Sequence, residues 1–256
     1  MKQIDLNCDM GELPETVGDG GQEALMQYVS SVNIACGGHA GDARMMAATI
    51  ERALCHGVSI GAHPGYEDRA NFGRVELSLA PEEIAATVHR QVLALDEVAV
   101  SCGARIVHVK PHGALYNQAA RDRGIARAIA EGVRRWRTDV MLVGLAGSVM
   151  LEEFRAAGFP VAAEAFADRR YERDGSLRSR KLEDALLKDP TDAACQAQRI
   201  VDEGSVVAAD GSVVPLEART ICIHGDTPGA LNFAAAIHRR LTVAGIKIEP
   251  LMRTAV

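Results

Sequence analysis

The sequence predicts a single α/β domain built as a parallel β/α barrel, irregular or incomplete in form. Short apolar runs alternate with helix-length amphipathic stretches, and six of these runs stop at a polar cluster beside glycine. Most of the runs show no alternation of polar and apolar residues, which is typical of parallel strands covered on both faces. The length of 256 residues suits one barrel domain.

Eight segments have the composition of such strands. They are short and rich in β-branched or other apolar side chains, and they cover residues 3–8, 32–36, 59–62, 105–110, 140–145, 160–165, 220–224 and 246–250. The carboxyl ends of parallel strands lie on one rim of a barrel, so the polar clusters that follow these segments should converge in space. Convergence of that kind points to an enzyme.

Capping residues and apolar spacing predict the helices between the strands. Asp42 caps a helix that continues to about residue 56, and Gly57 ends it. Pro81 takes the first position of a second helix, which Gly103 terminates. Further helices are predicted over residues 122–137, 148–157, 191–203 and 228–244.

Residues 172–216 interrupt this alternation. The charged stretch 172–180 lacks a core pattern and predicts an exposed loop, whereas residues 206–214 predict a hairpin that turns at Asp210-Gly211. We interpret 172–216 as a loop, helix and hairpin inserted into one barrel domain that covers residues 1–256. The sequence contains neither GxGxxG nor GxxxxGK[ST], which removes support for the usual dinucleotide and phosphate-loop folds.

Composition argues against several kinds of partner. The net charge of −6 gives no support to nucleic acid or an anionic membrane surface. The six cysteines form no Cys-x-x-Cys pair, as expected of buried free thiols in a reducing compartment. A strand pattern begins at residue 3, and the longest apolar stretch, 140–151, is too short to span a bilayer. We therefore expect a cytoplasmic protein that acts on a small molecule.

Four residues at the predicted rim are candidates for catalysis: Asp9, His63, Lys110 and His112. A lysine at the end of an apolar strand is costly to bury unless it meets an anion, and His112 beside it can accept a proton near neutral pH. The pair would suit attack on a carbonyl or phosphoryl group, with Lys110 neutralising the developing charge. A salt bridge for Lys110 and a core position for His63 are the structural alternatives.

The remaining rim candidates are assigned to substrate binding, and they are Asn7, His39, Asp42, Asn117, His224 and Asp226. Asp42 doubles as a helix cap, and Asn117 could simply open the following helix. Asp168 and the arginines after it could fix a substrate carboxylate or form surface pairs. Asp9, His39 and His63 are ligand types that Zn²⁺ accepts. They follow three different strands, so their spacing in the sequence cannot show whether they form a metal site, and we predict no metal.

Six blocks of this sequence resemble, in order and spacing, the signature of the LamB/YcsF family. They are NCDMGE, NIACGGHAGD, GAHPGY, HVKPHGALYN, EAFADRRY and CIHGDTP. The resemblance implies a seven-stranded β/α barrel like those of glycoside hydrolases and polysaccharide deacetylases. It also implies ATP-coupled hydrolysis of 5-oxo-L-proline to L-glutamate in a complex with 5-oxoprolinase subunits B and C. Apart from Asn7, the site candidates occupy matching motif positions, and their individual roles are inferred from their chemistry.

The sequence is also compatible with two other functions. Asp9, His39 and His63 suggest a metal-dependent deacetylase or amidohydrolase that acts alone. A non-catalytic subunit that binds and positions other enzymes is the second alternative. ATP as a co-substrate is implied by the resemblance alone.

Overall fold

The computed structural model of the chain describes residues 2–14, 20–225 and 229–252. Its strands are β1 (Gln3–Met10), β2 (Ser31–Ala35), β3 (Ser59–His63), β4 (His108–Val109), β5 (Met141–Leu145), β6 (Val161–Phe166), β7 (Ser205–Val207), β8 (Val213–Pro215), β9 (Thr220–Ile223) and β10 (Lys247–Ile248). Strands β1 to β6 and β9 are parallel and form a closed barrel. The predicted seven-stranded β/α barrel is therefore confirmed.

Strand β1 closes the barrel because it pairs on both sides. Its residue Cys8 lies opposite Val32 of β2 and opposite Ile223 of β9, and β9 also pairs with β6. Each of the seven barrel strands thus has a neighbour on either side, as closure requires. The eighth predicted strand, β10, pairs with the start of β1, where Lys247 lies opposite Gln3.

Helices surround the barrel and bury apolar stripes against it. They are α1 (Gly21–Met26), α2 (Ala43–His56), α3 (Pro81–Ser101), α4 (Gly113–Ala119), α5 (Arg123–Arg134), α6 (Val149–Ala156), α7 (Pro190–Glu203) and α8 (Ala230–Val243). Helix α2 begins at Asp42, whose carboxylate accepts a hydrogen bond from the Met45 amide, and it ends at Gly57 in the left-handed conformation. Both signals agree with the predicted cap and stop.

The segment between β6 and β9 holds a loop, helix α7 and an antiparallel hairpin. Strands β7 and β8 form the hairpin, and Gly211 at its turn has a φ of 86°. A positive φ of this size favours glycine, as the Asp-Gly turn requires. Tyr171 is fully buried just ahead of the charged stretch, and its hydroxyl accepts a hydrogen bond from the Phe166 amide, which ties the segment to the end of β6.

A layer of hydrogen-bonded polar side chains is buried inside the barrel. His108 lies 2.8 Å from the Asn33 amide oxygen, and Asn33 donates to the Asn7 side chain at 2.7 Å. Asn7 in turn donates to Glu164 at 3.0 Å. Gly61 makes room for this layer, because a Cβ there would collide with the His108 ring. Buried polar groups need such partners, and the network supports the rim above it.

Two expectations drawn from composition concern the burial of the cysteines and the length of apolar helices. All six cysteines are free, but only Cys8, Cys36 and Cys222 are buried, whereas Cys55 and Cys195 are exposed and Cys102 is half-buried. The expectation of buried free thiols holds for Cys8, Cys36 and Cys222 and does not hold for the other three, which lie on or near helix surfaces. Among the helices described, none has both the length and the apolar character needed to cross a membrane.

Candidate active site

Strand ends deliver most of the predicted site residues to one rim of the barrel. Asp9 lies on β1, His63 ends β3, and Lys110 and His112 follow β4. His224 directly follows β9. Contacts link the first four of these side chains into two adjoining groups, and the predicted convergence of distant sequence positions is present.

The first group is a histidine–glutamate cluster formed by Glu12, His39, His63 and His112. One nitrogen from each ring and one carboxylate oxygen lie within 4.8 Å of one another. His63 Nε2 is 3.0 Å from His112 Nδ1, and Glu12 Oε1 is 2.9 Å from His39 Nε2 and 3.3 Å from His112 Nδ1. The three imidazoles are all buried.

Backbone carbonyls orient two of these rings. His63 Nδ1 lies 2.7 Å from the Lys110 carbonyl oxygen, and His112 Nε2 lies 2.9 Å from the Phe72 carbonyl oxygen. A carbonyl can only accept, so both of these nitrogens carry the hydrogen and donate it. The tautomers of His63 and His112 are thereby fixed, and their other nitrogens point into the cluster.

The loop after β3 closes over the cluster. Phe72 adopts a φ of 56°, which is strained for a bulky side chain, and its ring packs edge-on against His39 and His112 at centroid distances of 5.5 and 5.6 Å. Gly73 lies so close that a Cβ there would stand 2.8 Å from His39 Cβ. The same strained turn places the Phe72 carbonyl against His112.

Burial holds two of the imidazoles in the neutral form. Desolvation, followed by repulsion from His63, lowers the pKa of His39 to about 2. Desolvation, followed by repulsion from His39 and His63, holds the pKa of His112 well below its ordinary value. Their rings stack in parallel with centroids 3.5 Å apart, an arrangement that disfavours two positive charges.

The second group surrounds the buried Lys110 ammonium. Its Nζ lies 2.9 Å from Glu164 Oε1, 3.0 Å from Asp9 Oδ1, 3.1 Å from Cys222 Sγ and 3.2 Å from Asn7 Oδ1. Burial would lower the pKa of Lys110, but Asp9 and the other acceptors outweigh it, so the pKa is raised well above its ordinary value.

This environment bears on the role predicted for Lys110. An ammonium group has three hydrogens to donate, and four acceptors already surround it. Direct stabilisation of a substrate oxyanion therefore has no free donor in this arrangement. The ion pairs with Asp9 and Glu164, the structural alternative, are present, and the catalytic role of Lys110 stays a prediction.

Asp9 links the two groups. Its Oδ1 accepts from Lys110 and from Asn33 at 2.8 Å, and its Oδ2 lies 3.4 Å from His63 Nε2. Burial would raise the pKa of Asp9, but attraction to His63 and Lys110 outweighs it, and the pKa lies well below its ordinary value. Asp9 is therefore ionised at neutral pH, and 13% of its side chain remains exposed.

A carboxylate–histidine pair completes the rim. His224 Nδ1 lies 2.8 and 2.9 Å from the two carboxylate oxygens of the buried Asp168, and the His224 ring stacks on Phe166 with centroids 5.5 Å apart. Burial would raise the pKa of Asp168, but His224 and Arg169 hold it below its ordinary value. The ionised Asp168 accepts from Nδ1 and thereby fixes the orientation of the His224 ring, with Nε2 as its other nitrogen.

The other predicted binding residues are placed differently. Asp42 is exposed and its carboxylate caps α2, so the structure supports the capping role. Asn117 is exposed on α4, where its backbone carbonyl accepts from Arg121. Asp226 lies outside the described residues. Asn7 and His39 are buried beside Lys110 and Glu12, respectively.

Glu12 and Glu164 belong to the site but are not among the residues selected from sequence. Glu12 lies just beyond β1, three residues after Asp9. Glu164 is a single acid inside the apolar run of β6, and its side chain is fully buried. An ionised acid buried in a strand is costly without a cation, and this is the signal that could have paired Glu164 with Lys110.

The donor set of the histidine–glutamate cluster suits a metal ion. Three imidazole nitrogens and one carboxylate oxygen are ligands that Zn²⁺ and related divalent ions accept. His63 and His112 each donate the N–H of their second ring nitrogen to a backbone carbonyl, and metal-bound histidines are usually held in this way. The sequence suggested a metal site of Asp9, His39 and His63 as an alternative. The cluster has the same ligand types, but it contains Glu12 and His112 and does not contain Asp9.

Comparison with known proteins identifies relatives over the whole chain. The A subunit of 5-oxoprolinase from Chloroflexus aggregans is 51% identical over 249 residues, which cover 97% of this chain and 99% of that protein. The crystal structure of the lactam utilization protein from Thermus thermophilus superposes with a TM-score of 0.89 at 42% identity, covering 96% of this chain and 99% of that one.

More distant structures share only the fold. A family 4 carbohydrate esterase from Streptomyces lividans superposes with a TM-score of 0.51 at 10% identity, covering 100% of this chain and 97% of that one. The resemblance to deacetylase barrels is therefore architectural. The profile of the LamB/YcsF family matches residues 4–256. The chain belongs to the LamB/YcsF family.

Proposed function

We propose that this chain is the A subunit of a 5-oxoprolinase, which opens the lactam of 5-oxo-L-proline to give L-glutamate. The observation that carries this proposal is the 51% identity to a protein of that name across 97% of this chain. Partner subunits B and C and ATP as co-substrate belong to the same proposal. The absence of a glycine-rich phosphate motif from the sequence supports a division of labour within such a complex.

The chemistry of lactam opening matches what the rim offers. Water adds its oxygen to the carbonyl carbon, the carbon–nitrogen bond breaks, and the ring nitrogen leaves with a proton. The lactam is an unstrained amide, and transfer of the γ-phosphoryl group of ATP to its carbonyl oxygen, with ADP leaving, would activate the carbon. Cleavage of the carbon–nitrogen bond then leaves an acyl phosphate, which a second water hydrolyses to the carboxylate and inorganic phosphate. The reaction also needs a carboxylate that orients water and a group that gives a proton to nitrogen.

Asp9 and His224 fit these two roles. Asp9 is ionised and partly exposed, and its contacts with Lys110 and Asn33 hold the carboxylate in one orientation. His224 is held through Nδ1 by Asp168, so its Nε2 can carry a proton to the leaving nitrogen. Lys110 acts through Asp9 in this scheme, and it does not contact the substrate.

Reconstitution with subunits B and C tests the proposal. The mixture should form glutamate from 5-oxo-L-proline and ATP, and His224→Gln should lower kcat by about 10²- to 10⁴-fold while assembly is retained. His238→Gln on the outer helix α8 is the matched control and should keep wild-type kcat. Failure of the wild-type mixture to make glutamate, with partners of proven activity, would refute the substrate assignment.

A second candidate function is a metal-dependent amidohydrolase that acts without partners. The histidine–glutamate cluster favours it, because a divalent ion held there would polarise an amide carbonyl. The chain alone, supplied with Zn²⁺ and no ATP, should then hydrolyse 5-oxo-L-proline or an acetylated amine. Hydrolysis only in the presence of partners and ATP would reject this candidate.

A further inference from the structure

We propose that Glu12, His39, His63 and His112 bind one divalent transition-metal ion of the Zn²⁺ type. The donor atoms are His39 Nε2, His63 Nε2, His112 Nδ1 and Glu12 Oε1. They come from segments that follow or end different strands, and they converge on one point under the loop that carries Phe72. This inference concerns the ion alone and does not depend on which substrate the chain uses.

The hydrogen bonds of His63 and His112 supply the main argument. Each ring donates one N–H to a backbone carbonyl, so His63 Nε2 and His112 Nδ1 carry lone pairs when the rings are neutral. These two nitrogens face each other at 3.0 Å. Two lone pairs at this distance repel, and a cation between them turns the repulsion into two ligand bonds.

A proton is the rival occupant. A proton on His63 Nε2 could bridge to His112 Nδ1, and it would satisfy that pair. A hydrogen on His39 Nε2 would likewise donate to Glu12 Oε1 at 2.9 Å, so protons can satisfy the four atoms only in separate pairs, whereas one cation would be bound by all four at a single point. Four converging donors are the usual coordination number of a structural zinc site, and a catalytic site uses three of them and leaves the fourth position open.

The spacing of the donors fits a tetrahedral ion. Bonds of about 2.0–2.1 Å to a tetrahedral Zn²⁺ place neighbouring ligand atoms roughly 3.3–3.4 Å apart. Separations between donor atoms in the cluster include 2.9, 3.0, 3.3 and 4.0 Å, and all of these atoms lie within 4.8 Å of one another. The four measured separations lie on both sides of the tetrahedral value, and the parallel ring of His39 must turn relative to His112 for both to face one ion.

The surroundings of the cluster are built to keep the rings in place. Phe72 is held at a positive φ, and its carbonyl is the acceptor that fixes the His112 ring. A Cβ at Gly65 would lie 2.9 Å from His39 Nδ1, so this glycine also packs directly on the cluster. The backbone strain at Phe72 costs free energy, and the close approach at Gly65 excludes any larger side chain. A functional role for the cluster explains why both features are present.

Metal binding by the purified full-length chain tests this proposal directly. The chain is stripped with a chelator, dialysed and titrated with Co²⁺ and Zn²⁺, followed by visible spectroscopy and elemental analysis. We expect one ion per chain, Co²⁺ absorption of tetrahedral intensity, and displacement of Co²⁺ by Zn²⁺. A stoichiometry near zero with folded protein overturns the proposal.

Variants locate the ion. His63→Gln and His112→Gln should each weaken binding by at least about 100-fold, since loss of a ligand should exceed the loss of its supporting partner. His56→Gln is the matched control. His56 is the last residue of α2, pairs with Glu23 of α1 and lies outside the cluster. Circular dichroism verifies folding, and Glu12→Gln serves as a milder variant if a histidine variant misfolds. Wild-type affinity in all three cluster variants would contradict the assignment.

Discussion

Replacement of Lys110 by methionine tests how the rim is held together. Lys110 is 3% exposed, and its Nζ lies 2.9 Å from Glu164 and 3.0 Å from Asp9. At an effective dielectric constant near 20, each contact represents an attraction of about 5.5–6 kcal/mol before desolvation is subtracted. Lys110→Met leaves the buried carboxylates of Asp9 and Glu164 without their cation. We therefore expect it to lower the free energy of unfolding by about 3–5 kcal/mol at roughly neutral pH.

The loss should depend on pH with a definite sign. In the wild type, attraction to His63 and Lys110 outweighs burial and depresses the pKa of Asp9, so this stabilisation is present above about pH 4 and lost at lower pH. In Lys110→Met the cation is gone, and the folded state gains by binding a proton in its place. The variant should therefore be more stable at about pH 5 than at about pH 8.

Urea denaturation at about pH 5, 7 and 8 measures these differences. Lys188→Met is the control, because its ion pair with Glu183 is 3.8 Å long and largely exposed to solvent, and it should change stability by less than about 1 kcal/mol. The double variant Lys110→Met/Glu164→Gln should recover part of the loss, since it removes one buried charge. A loss below about 1 kcal/mol for Lys110→Met, or one that is equal at the lowest and highest pH, would refute the reasoning.

Two glycine substitutions test the packing around the barrel. Gly132→Ala should lower the free energy of unfolding by about 1–3 kcal/mol in urea, because its Cβ would stand 2.6 Å from the Ala85 carbonyl oxygen and 2.9 Å from Val88 Cβ, where α3 and α5 meet. Unchanged or increased stability, as helix propensity alone predicts, would show that the helices separate easily. Gly73→Ala should cost at least about 1–2 kcal/mol from its φ of 61°, and its Cβ would displace His39, so Co²⁺ affinity should fall as well. Retention of both stability and affinity would contradict the close contact.

The fold was largely predictable because the strands and helices carry strong local signals. Strands β2, β3 and β5 are buried throughout, and each reads in the sequence as a short apolar run. Asp42, Gly57 and Pro81 marked helix ends where the structure has them. Short elements were missed: α1 and α4 have six and seven residues, too few for a clear apolar stripe.

The site was predictable only in part. His63, Lys110 and His112 lie at or just after strand ends, so topology alone brings them together. The partners of Lys110 could not be chosen from sequence, because Asp9, Glu164 and Cys222 meet it through barrel closure and not through spacing. The sequence therefore predicted the place of the lysine but not the ion pairs that surround it, and its catalytic role stays a prediction.

The loop after β3 shows a second limit. Phe72 and Gly73 have no periodic pattern or motif that marks them, yet the Phe72 carbonyl sets the His112 tautomer. Backbone acceptors carry no side-chain signature in the sequence. Asp42 illustrates the opposite case, because one carboxylate satisfied both a capping signal and a site motif, and the structure supports the cap.

The central claim is that the reaction takes place at the barrel rim, where the histidine–glutamate cluster, Asp9 and His224 lie. A crystal structure of the chain with 5-oxo-L-proline and Zn²⁺ tests this claim most directly. We predict an anomalous zinc peak between His63 and His112, and the lactam carbonyl within hydrogen-bonding reach of a water on Asp9, with its ring nitrogen toward His224. Binding of the lactam instead in the separate cavity of about 470 Å³ lined by Gly37, Gly38, Arg69, Arg90 and Gln91 would contradict the account.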